Sequence, residues 1–283
     1  MFDVFKNRLD ITGTLTTVTA LRISQGRSLE PIGSDLPVVK DALGKPLIPG
    51  SSFKGAMRSR LEAFLRGIHP DLAQDPSDLV SREMNERVKA LKEQHSGNDE
   101  ALTTALNNIT DEVSKIFGTP WQASKFQVRD LTVKPETWFG QYQERDGVSI
   151  NRDTETAEDG RLYDFQVVPA GVKFDFQAVI ENAEDWELGL IMIGLHQFES
   201  EQIPLGGGQS RGLGVVKLDL QDVWWIDYSE DRPDELLMYL KRLIANEKDA
   251  HYKLSSESFT AYKQDWTEAL IQHLNPDMAM QEA

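Results

Sequence analysis

The chain has 283 residues and a formal net charge of −16, and it contains five histidines and no cysteine. This composition excludes a disulfide framework and a thiolate metal site, and the histidines lack zinc-site spacing, so no zinc is expected. No apolar run reaches the roughly eighteen residues of a membrane span, and residues 1–8 lack the apolar core of a signal peptide. We therefore expect a cytoplasmic protein with no membrane partner.

The acidic balance argues against a nucleic-acid partner, because Lys and Arg side chains that neutralise phosphates drive such binding. The charge is uneven, however. Residues 1–66 hold ten Lys and Arg against six Asp and Glu, a net charge of +4, whereas residues 221–283 hold six against thirteen, a net charge of −7. A chain can be basic where it meets RNA and acidic elsewhere, so the objection weakens without disappearing.

A first strand is predicted from Asn7 to Thr19, where β-branched residues partly alternate with others. Residues 21–39 then hold too many Gly, Pro, Ser and Asp residues for a regular element, and a loop of that length inside a compact domain is usually functional. Arg22 and Arg27 add positive charge to this loop. One of its carboxylates, Asp35, fits an Asx-turn on residue chemistry alone.

A helix is predicted within Gly44–Leu65, capped by one of two serines, with one apolar face and one cationic face. Free amides at a helix N-terminus, hydroxyl groups and two cations four residues apart suit a phosphate. The alternative is a solvated basic face, which is common on surface helices. The candidate phosphate ligands are Ser51, Ser52, Lys54 and Arg58.

The middle of the chain predicts an inserted helical segment and a hairpin. Residues 69–118 carry helical spacing with alternating charges, interrupted at Gly97 and Asn98. A second strand is predicted from Phe126 to Val133. Residues 148–168 place charged and Gly-containing sequence between β-prone runs, which predicts an extended hairpin with its turn near Glu158–Gly160.

The last third supplies the remaining elements of a β-α-β-β-α-β order. Val172–Ile180 alternates strictly between apolar and polar residues, and Asp185–Phe198 predicts an acid-capped amphipathic helix. Val216–Leu220 predicts the last strand. Two further amphipathic helices are expected around Leu236–Ile244 and Trp266–Leu274.

Five glycines surround one arginine in the stretch PLGGGQSRGLGVVK, residues 204–217. Glycine permits close backbone approach to a ligand and arginine is a bidentate anion donor, so we predict a binding loop; the alternative is a mobile surface loop. Neither the P-loop nor the dinucleotide-binding spacing fits. The candidate contacts are Gly206, Gly207, Gly208, Arg211, Gly212 and Gly214.

Together, IPGSSFKGAMRSRLE and the downstream GGGQSRGLG resemble the RAMP superfamily, specifically the repeating backbone subunit of type III CRISPR effector complexes. Three further stretches agree in order: PIGSDLPVVKD, IFGTPWQASKFQVRD and INRDTETAEDGRLYDFQVVPAG. The likeness covers roughly residues 5–66 and 115–220. The chain departs from some members of the family, which carry a structural zinc.

The resemblance agrees with an α+β fold, a ferredoxin-like and RNA-recognition-like core. We assign this core to residues 1–220, with the helical insertion at about 69–118 and a thumb hairpin at about 148–168. Residues 221–283 are expected to form an acidic helical C-terminal extension, which the resemblance does not cover.

The resemblance also implies a subunit that binds guide RNA along a repeating filament and cleaves complementary target RNA. The candidate guide contacts are the residues named above, and Asp35 matches the catalytic aspartate, with Mg²⁺ or another divalent ion held there. The thumb kinks the duplex, and Leu162, Tyr163 and Phe165 could form its apolar wedge or its base. Expected partners are guide RNA, target RNA, other subunits of the complex and copies of the chain itself.

Two alternatives remain open. The first is a scaffold subunit of the same complex that binds guide RNA without cutting. The second is a guide-processing ribonuclease of the same superfamily, which usually relies on histidine or tyrosine; the few histidines here disfavour it.

Overall fold

A computed structural model describes residues 4–27, 34–151, 156–228 and 233–275, excluding the side chains of residues 148–151 and 156–162. The strands are β1 (Asn7–Thr17), β2 (Leu47–Ile48), β3 (Phe126–Val128), β4 (Leu131–Thr132), β5 (Gln143–Asn151), β6 (Thr156–Val167), β7 (Lys173–Glu181) and β8 (Val216–Asp227). The α-helices are α1 (Gly50–Ile68), α2 (Pro76–Leu79), α3 (Arg82–Gln94), α4 (Asp99–Asn108), α5 (Glu112–Phe117), α6 (Asp185–Glu199), α7 (Pro233–Ile244), α8 (Lys248–Tyr252) and α9 (Ser256–Leu274). The predicted α+β class is confirmed.

Four strands form the main antiparallel sheet in the order β3-β7-β1-β8. The strict alternation predicted for β7 is confirmed, with Phe174 and Phe176 buried and Lys173 and Asp175 exposed. Helices α1 and α6 pack near the buried face. Phe53 of α1 lies 5.0 Å from Phe176 and stacks on Phe198 of α6 at 4.1 Å, measured between ring centroids. The sheet and these two helices therefore share one aromatic core.

Residues 69–118 contain helices α2 to α5, and the predicted break falls between α3 and α4, where Gly97 has a φ of +83°. The second predicted strand is two strands. β3 pairs with β7 in the main sheet, whereas β4 pairs with β2. Because the two short strands pair with different partners, the pattern from Phe126 to Val133 could not continue as one element.

The predicted hairpin is present as the antiparallel pair β5 and β6. Its turn was misplaced, because Glu158–Gly160 lie inside β6. The pairing runs from Gln143 opposite Val167 to Asn151 opposite Thr156. The strands are joined through residues 152–155, which lie outside the described residues.

The C-terminal third is more closely joined to the core than the sequence predicted. β8 continues to Asp227, so the end predicted at Leu220 is wrong, and the proposed domain boundary falls inside this strand. The predicted helices are present within α7 and α9. Trp266 and Leu270 of α9 are buried against α6, where an added Cβ at Gly189 would lie 2.1 Å from the Trp266 carbonyl oxygen. Within the described residues, no helix is long and apolar enough to cross a bilayer.

Candidate nucleic-acid interface

Helix α1 begins at Gly50, and its first amide is held by a distant side chain. The Gly50 N–H donates to Asp130 Oδ1 at 2.8 Å. No side-chain cap comes from the preceding residue, so the cap predicted at Ser51 or Ser52 is wrong. Both serines lie inside the first turn, with Ser51 exposed and Ser52 half-buried. Because Asp130 already places a carboxylate at this positive helix end, the end is a poorer anion site than the sequence indicated.

Lys54 is half-buried on α1 and contacts residues beyond its own helix. Its Nζ atom donates to Ser124 Oγ at 2.6 Å and lies 5.9 Å from the Phe117 ring centroid. Burial, and then the positive charge of Arg58, lower the pKa of Lys54 to about 8. Its ammonium group therefore loses its proton at a lower pH than that of a solvated lysine.

Arg58 connects α1 to α5. Its guanidinium donates to Glu62 Oε1 at 2.7 Å, to Ser114 Oγ at 2.9 Å and to the Gly118 carbonyl oxygen at 3.2 Å. Three structural acceptors on one guanidinium leave it little freedom to follow a ligand. Its contact with RNA stays a prediction, and that contact would have to coexist with these bonds or replace them.

The loop at residues 204–217, called the glycine loop below, contains one short 3₁₀ turn, Gln209–Arg211. It packs on the start of the loop that follows β1. The Gly207 N–H donates to the Arg22 carbonyl oxygen at 2.8 Å. Gly206 has a φ of +75°, and an added Cβ would lie 2.1 Å from the same oxygen. Part of the glycine requirement is therefore structural, because the loop lies directly on the backbone of Arg22.

The other glycines of this loop fall into two groups: those where a side chain would clash with the protein and those where it would not. An added Cβ at Gly214 would lie 2.2 Å from the Leu205 carbonyl oxygen, and one at Gly208 would meet the Leu213 side chain at 2.8 Å. At Gly207 and Gly212 an added Cβ would face open space. These last two positions leave backbone accessible to a ligand, so ligand binding by the loop stays a prediction that they support best.

We expect Gly206→Ala to destabilise the chain by at least about 1 kcal/mol, because an L-residue in the left-handed region costs about that much before any clash is counted. Gly207→Ala is the matched control, since its φ is not positive and its Cβ would meet nothing. Urea unfolding followed by circular dichroism would compare the two variants. Equal stability of both would contradict the proposed packing of the glycine loop on Arg22.

Three consecutive residues of β6 contact the predicted site residues. The Arg211 guanidinium donates to the Tyr163 hydroxyl at 3.4 Å, and the Arg22 guanidinium lies 4.5 Å above the Phe165 ring centroid. Asp164, between the two aromatic residues, accepts a hydrogen bond from the backbone N–H of Asp35 at 2.9 Å. We call this set the hairpin-base cluster: Arg22, Asp35, Tyr163, Asp164, Phe165 and Arg211.

Asp35 is attached to the hairpin and not only to its own loop. Besides the bond to Asp164 Oδ1, its Oδ2 atom accepts from the Asp164 N–H at a long 3.4 Å. Leu36 continues the contact by pairing with Phe165 in a parallel bridge. The carboxylate therefore reaches across to β6, which an Asx-turn within the loop does not require. Arg27 is exposed on the same loop.

The thumb candidates lie at the base of the hairpin where their side chains are described. Phe165 is buried with Ala20, Val167 and Leu213 in a small core of its own. The Tyr163 ring lies over Gly147, where an added Cβ would be 2.3 Å from a ring carbon. These contacts favour the base over the wedge for Phe165 and Tyr163, and the role of both residues stays a prediction. The Leu162 side chain lies outside the described residues.

Sequence reasoning missed two residues near these loops. A cleft of about 290 Å³ separates α1 from the glycine loop, and its lining includes Arg60 and Gln209. Arg60, not Lys54 or Arg58, is therefore the α1 cation on the side of the glycine loop. Asp164 was missed as well. Its place between two aromatic residues, in the sequence YDF, could have indicated a polar side chain on the opposite face of the strand from two apolar ones.

The residues around Asp35 fit a divalent ion only in a limited sense. Within the described ranges, no three His, Asp or Glu residues are grouped in a way that could hold a metal. Mg²⁺ commonly binds through one or two carboxylates while keeping several waters and substrate phosphate oxygens. A half-buried aspartate beside a second carboxylate, Asp164, suits that mode, and not a closed protein cage.

A sequence profile described as the RAMP superfamily matches residues 14–217. The chain is 25% identical over 219 residues to the CRISPR system Cms endoribonuclease Csm3 of Enterococcus italicus, which covers 77% of this chain and 92% of that protein. The protein of the same name from Methanocaldococcus jannaschii is 28% identical over 225 residues, which cover 75% of this chain and 79% of that protein. The one from Mycobacterium tuberculosis is 48% identical over 56 residues, which cover 19% of this chain and 24% of that protein.

Proposed function

This chain belongs to the RAMP superfamily, and from that premise we propose that it is a guide-RNA-binding backbone subunit of a type III CRISPR ribonucleoprotein that cuts complementary target RNA. The observation that carries the proposal is the hairpin-base cluster. It joins the predicted catalytic loop, the thumb and the glycine loop through contacts of three adjacent β6 residues. The similarity to proteins named endoribonucleases supports the cutting activity.

We infer that the core is ferredoxin-like. The order β3-β7-β1-β8 supports this, with α1 between β1 and β3 and α6 between β7 and β8. In such a βαββαβ arrangement both crossover helices lie on one face of the sheet. The loops that follow β1 and α6 can then meet, as residues 20–22 and the glycine loop do here.

The basic residues of the hairpin-base cluster would hold RNA by its phosphates, which fixes register without reading sequence. Arg211 and Arg22 keep guanidinium donors beyond the contacts described, and Arg27 is exposed on the same loop. Arginine forks match phosphate geometry well. A chain of net charge −16 can bind RNA in this way because its charge is uneven, with a net +4 over residues 1–66, which include Arg22 and Arg27.

For cleavage we propose that Asp35 acts on the ribose 2′-hydroxyl of the target. The 2′-oxygen attacks the adjacent phosphorus, its proton passes to a base, and the bond from phosphorus to the 5′-oxygen breaks. The products are a 2′,3′-cyclic phosphate and a 5′-hydroxyl, whose oxygen takes up a proton. Asp35 would orient the 2′-hydroxyl or receive its proton. A divalent ion, when bound, would neutralise charge on the phosphate oxygens.

The test is to purify the chain with the other subunits of its complex from cells that also supply the guide. We expect guide RNA to copurify, several copies of this chain to be present, and a complementary RNA to be cut only with a divalent ion. Binding without cutting would favour the scaffold alternative. Cutting of the guide precursor by the chain alone would favour the processing ribonuclease. Fractionation should place the complex in the cytoplasm.

RNA affinity contributed by Lys54 should fall as the pH rises through about 8, because the ammonium that binds phosphate is present only below its pKa. A charge-assisted hydrogen bond of this kind is worth about 1.5 kcal/mol, roughly tenfold in affinity. We expect titrations of labelled RNA at pH 7 and pH 9 to differ by about fivefold beyond the change seen for Lys54→Ala, because about a tenth of the ammonium is lost at pH 7 and about a tenth remains at pH 9. Lys54→Arg should remove the difference, since arginine keeps its charge.

Lys54 is the cleaner probe of this helix face, because replacing Arg58 would also break the contacts between α1 and α5. If Lys54→Ala binds RNA as the parent does at pH 7, and with the same salt dependence, α1 does not contact phosphate through Lys54. That result would leave Arg60 and the glycine loop as the cationic contacts on this side.

A further inference from the structure

Asp164 is the side chain of β6 that touches the predicted catalytic residue, and the function proposed above does not use it. Its Oδ1 atom accepts from the Asp35 backbone N–H at 2.9 Å, across 129 residues of sequence. In return the Asp164 N–H approaches Asp35 Oδ2 at 3.4 Å. Both residues are half-buried. The two bonds form a reciprocal pair between side chain and backbone.

This pair determines how Asp35 is held. The next residue along, Leu36, is fixed by backbone pairing with β6, since the Gln166 N–H donates to its carbonyl oxygen at 3.1 Å. The backbone amide of Asp35 itself is held by its hydrogen bond to the Asp164 side chain. Without that acceptor, Asp35 would keep the long contact of its carboxylate with the Asp164 N–H but would lose the shorter bond that holds its backbone to the hairpin. The carboxylate of Asp35 would then be held less firmly at the base of β6, by that long contact and by the pairing of Leu36.

Resting on the proposed function, we infer that Asp164 is a positioning residue that holds Asp35 in cutting geometry through its Oδ1 acceptor. A misplacement of about 1 Å can lower a rate by about a hundredfold, so one hydrogen bond that fixes a reacting group has a measurable effect. The role requires an acceptor oxygen at this position and not a negative charge. Asparagine, which offers an amide oxygen of the same geometry, therefore meets the requirement.

The hairpin itself does not depend on Asp164. Its base is held by the small core of Ala20, Phe165, Val167 and Leu213, all at most 7% exposed. The β5 and β6 strands remain paired on both sides of residue 164. Removing the carboxylate should therefore leave the fold, the assembly and the binding of RNA intact while the shorter bond to Asp35 is lost.

The experiment compares four variants in the assembled, guide-loaded complex: Asp164→Ala, Asp164→Asn, Asp146→Ala and Asp35→Ala. Asp146 is the exposed residue directly opposite Asp164 on β5 and serves as the matched control. Single-turnover cleavage of a complementary RNA and its dissociation constant are measured for each. We expect Asp164→Ala to slow cutting at least about tenfold with binding unchanged within about twofold. Asp164→Asn should cut within about threefold of the parent, and Asp146→Ala like the parent.

The outcomes separate this inference from the function it rests on. If Asp35→Ala abolishes cutting and Asp164→Ala does not slow it, the positioning role is overturned and the proposed function stands. If Asp164→Asn is as slow as Asp164→Ala, the charge matters and the hydrogen-bond role is overturned. Failure of Asp164→Ala to assemble or bind target would show a structural role instead. If Asp35→Ala still cuts, the proposed function falls together with this inference.

Discussion

Replacing Asp35 by alanine should lower target RNA cleavage by about 10²–10⁴-fold, the range expected when a general acid–base group is removed. The complex should still assemble, carry its guide and bind target with unchanged affinity, because a group that acts only on the chemistry is not needed for binding. Cleavage rates and dissociation constants of the purified complex would measure the two effects separately. Removal of divalent ions by a chelator should reproduce the loss in the unaltered complex.

Asp41→Ala is the control for this prediction. Asp41 lies six residues further along the chain, and its Oδ1 atom accepts from the Leu43 and Lys45 N–H groups in its own loop. These two bonds hold a local turn within that loop. Its loss should leave cutting within about threefold, since it lies outside the hairpin-base cluster. Full cutting by the Asp35→Ala complex would place the active carboxylate in another chain and make this subunit a scaffold.

The elements with regular periodicity were predictable from the sequence because their patterns depend on neighbours a few residues away. The strict alternation of β7, the apolar stripe of α6 and the break at Gly97 all follow from local chemistry. The hairpin turn was not predictable. Gly160, a turn signal by composition, lies inside β6 at a register shift, where the step from Ala157 to Leu162 lies opposite the step from Ile150 to Val148.

The site was only partly predictable, because its geometry depends on contacts between distant segments. The sequence identified Asp35, Arg22 and Arg211 as candidates, and the structure brings all three to the base of one hairpin. It could not indicate that Asp130, eighty residues away, would hold the first amide of α1. Nor could four-residue spacing show that Arg58 would be satisfied by α5. Helical spacing predicts which residues share a face, but not what that face meets.

The largest stability effect should follow from Lys125→Met. Lys125 and Glu187 are 6% and 2% exposed, and Lys125 Nζ lies 2.5 Å from Glu187 Oε2, joining the start of β3 to the first turn of α6. Removing one partner of a buried ion pair leaves the other charge buried without a partner and costs about 3–5 kcal/mol of stability. Urea unfolding would measure the loss. Lys134→Met is the control, because its pair with Asp175 is partly exposed and should contribute at most about 1 kcal/mol.

A second substitution tests the cause. Lys125→Met with Glu187→Gln should recover most of the loss, because glutamine is uncharged and its amide oxygen can still accept from the Glu184 N–H. If the double variant is no more stable than Lys125→Met, lost packing and not a stranded charge explains the effect.

The pH dependence of the single variant gives an independent check on the same charge. Burial raises the pKa of Glu187, and the Lys125 ammonium opposes that rise. In Lys125→Met burial acts without this opposition, so the folded-state pKa of Glu187 rises further above its unfolded value. A raised pKa means that the folded chain takes up a proton more readily than the unfolded chain, which favours folding as the pH falls. The stability deficit of Lys125→Met should therefore shrink between about pH 8 and about pH 5, whereas a deficit caused by lost packing would stay constant over that range.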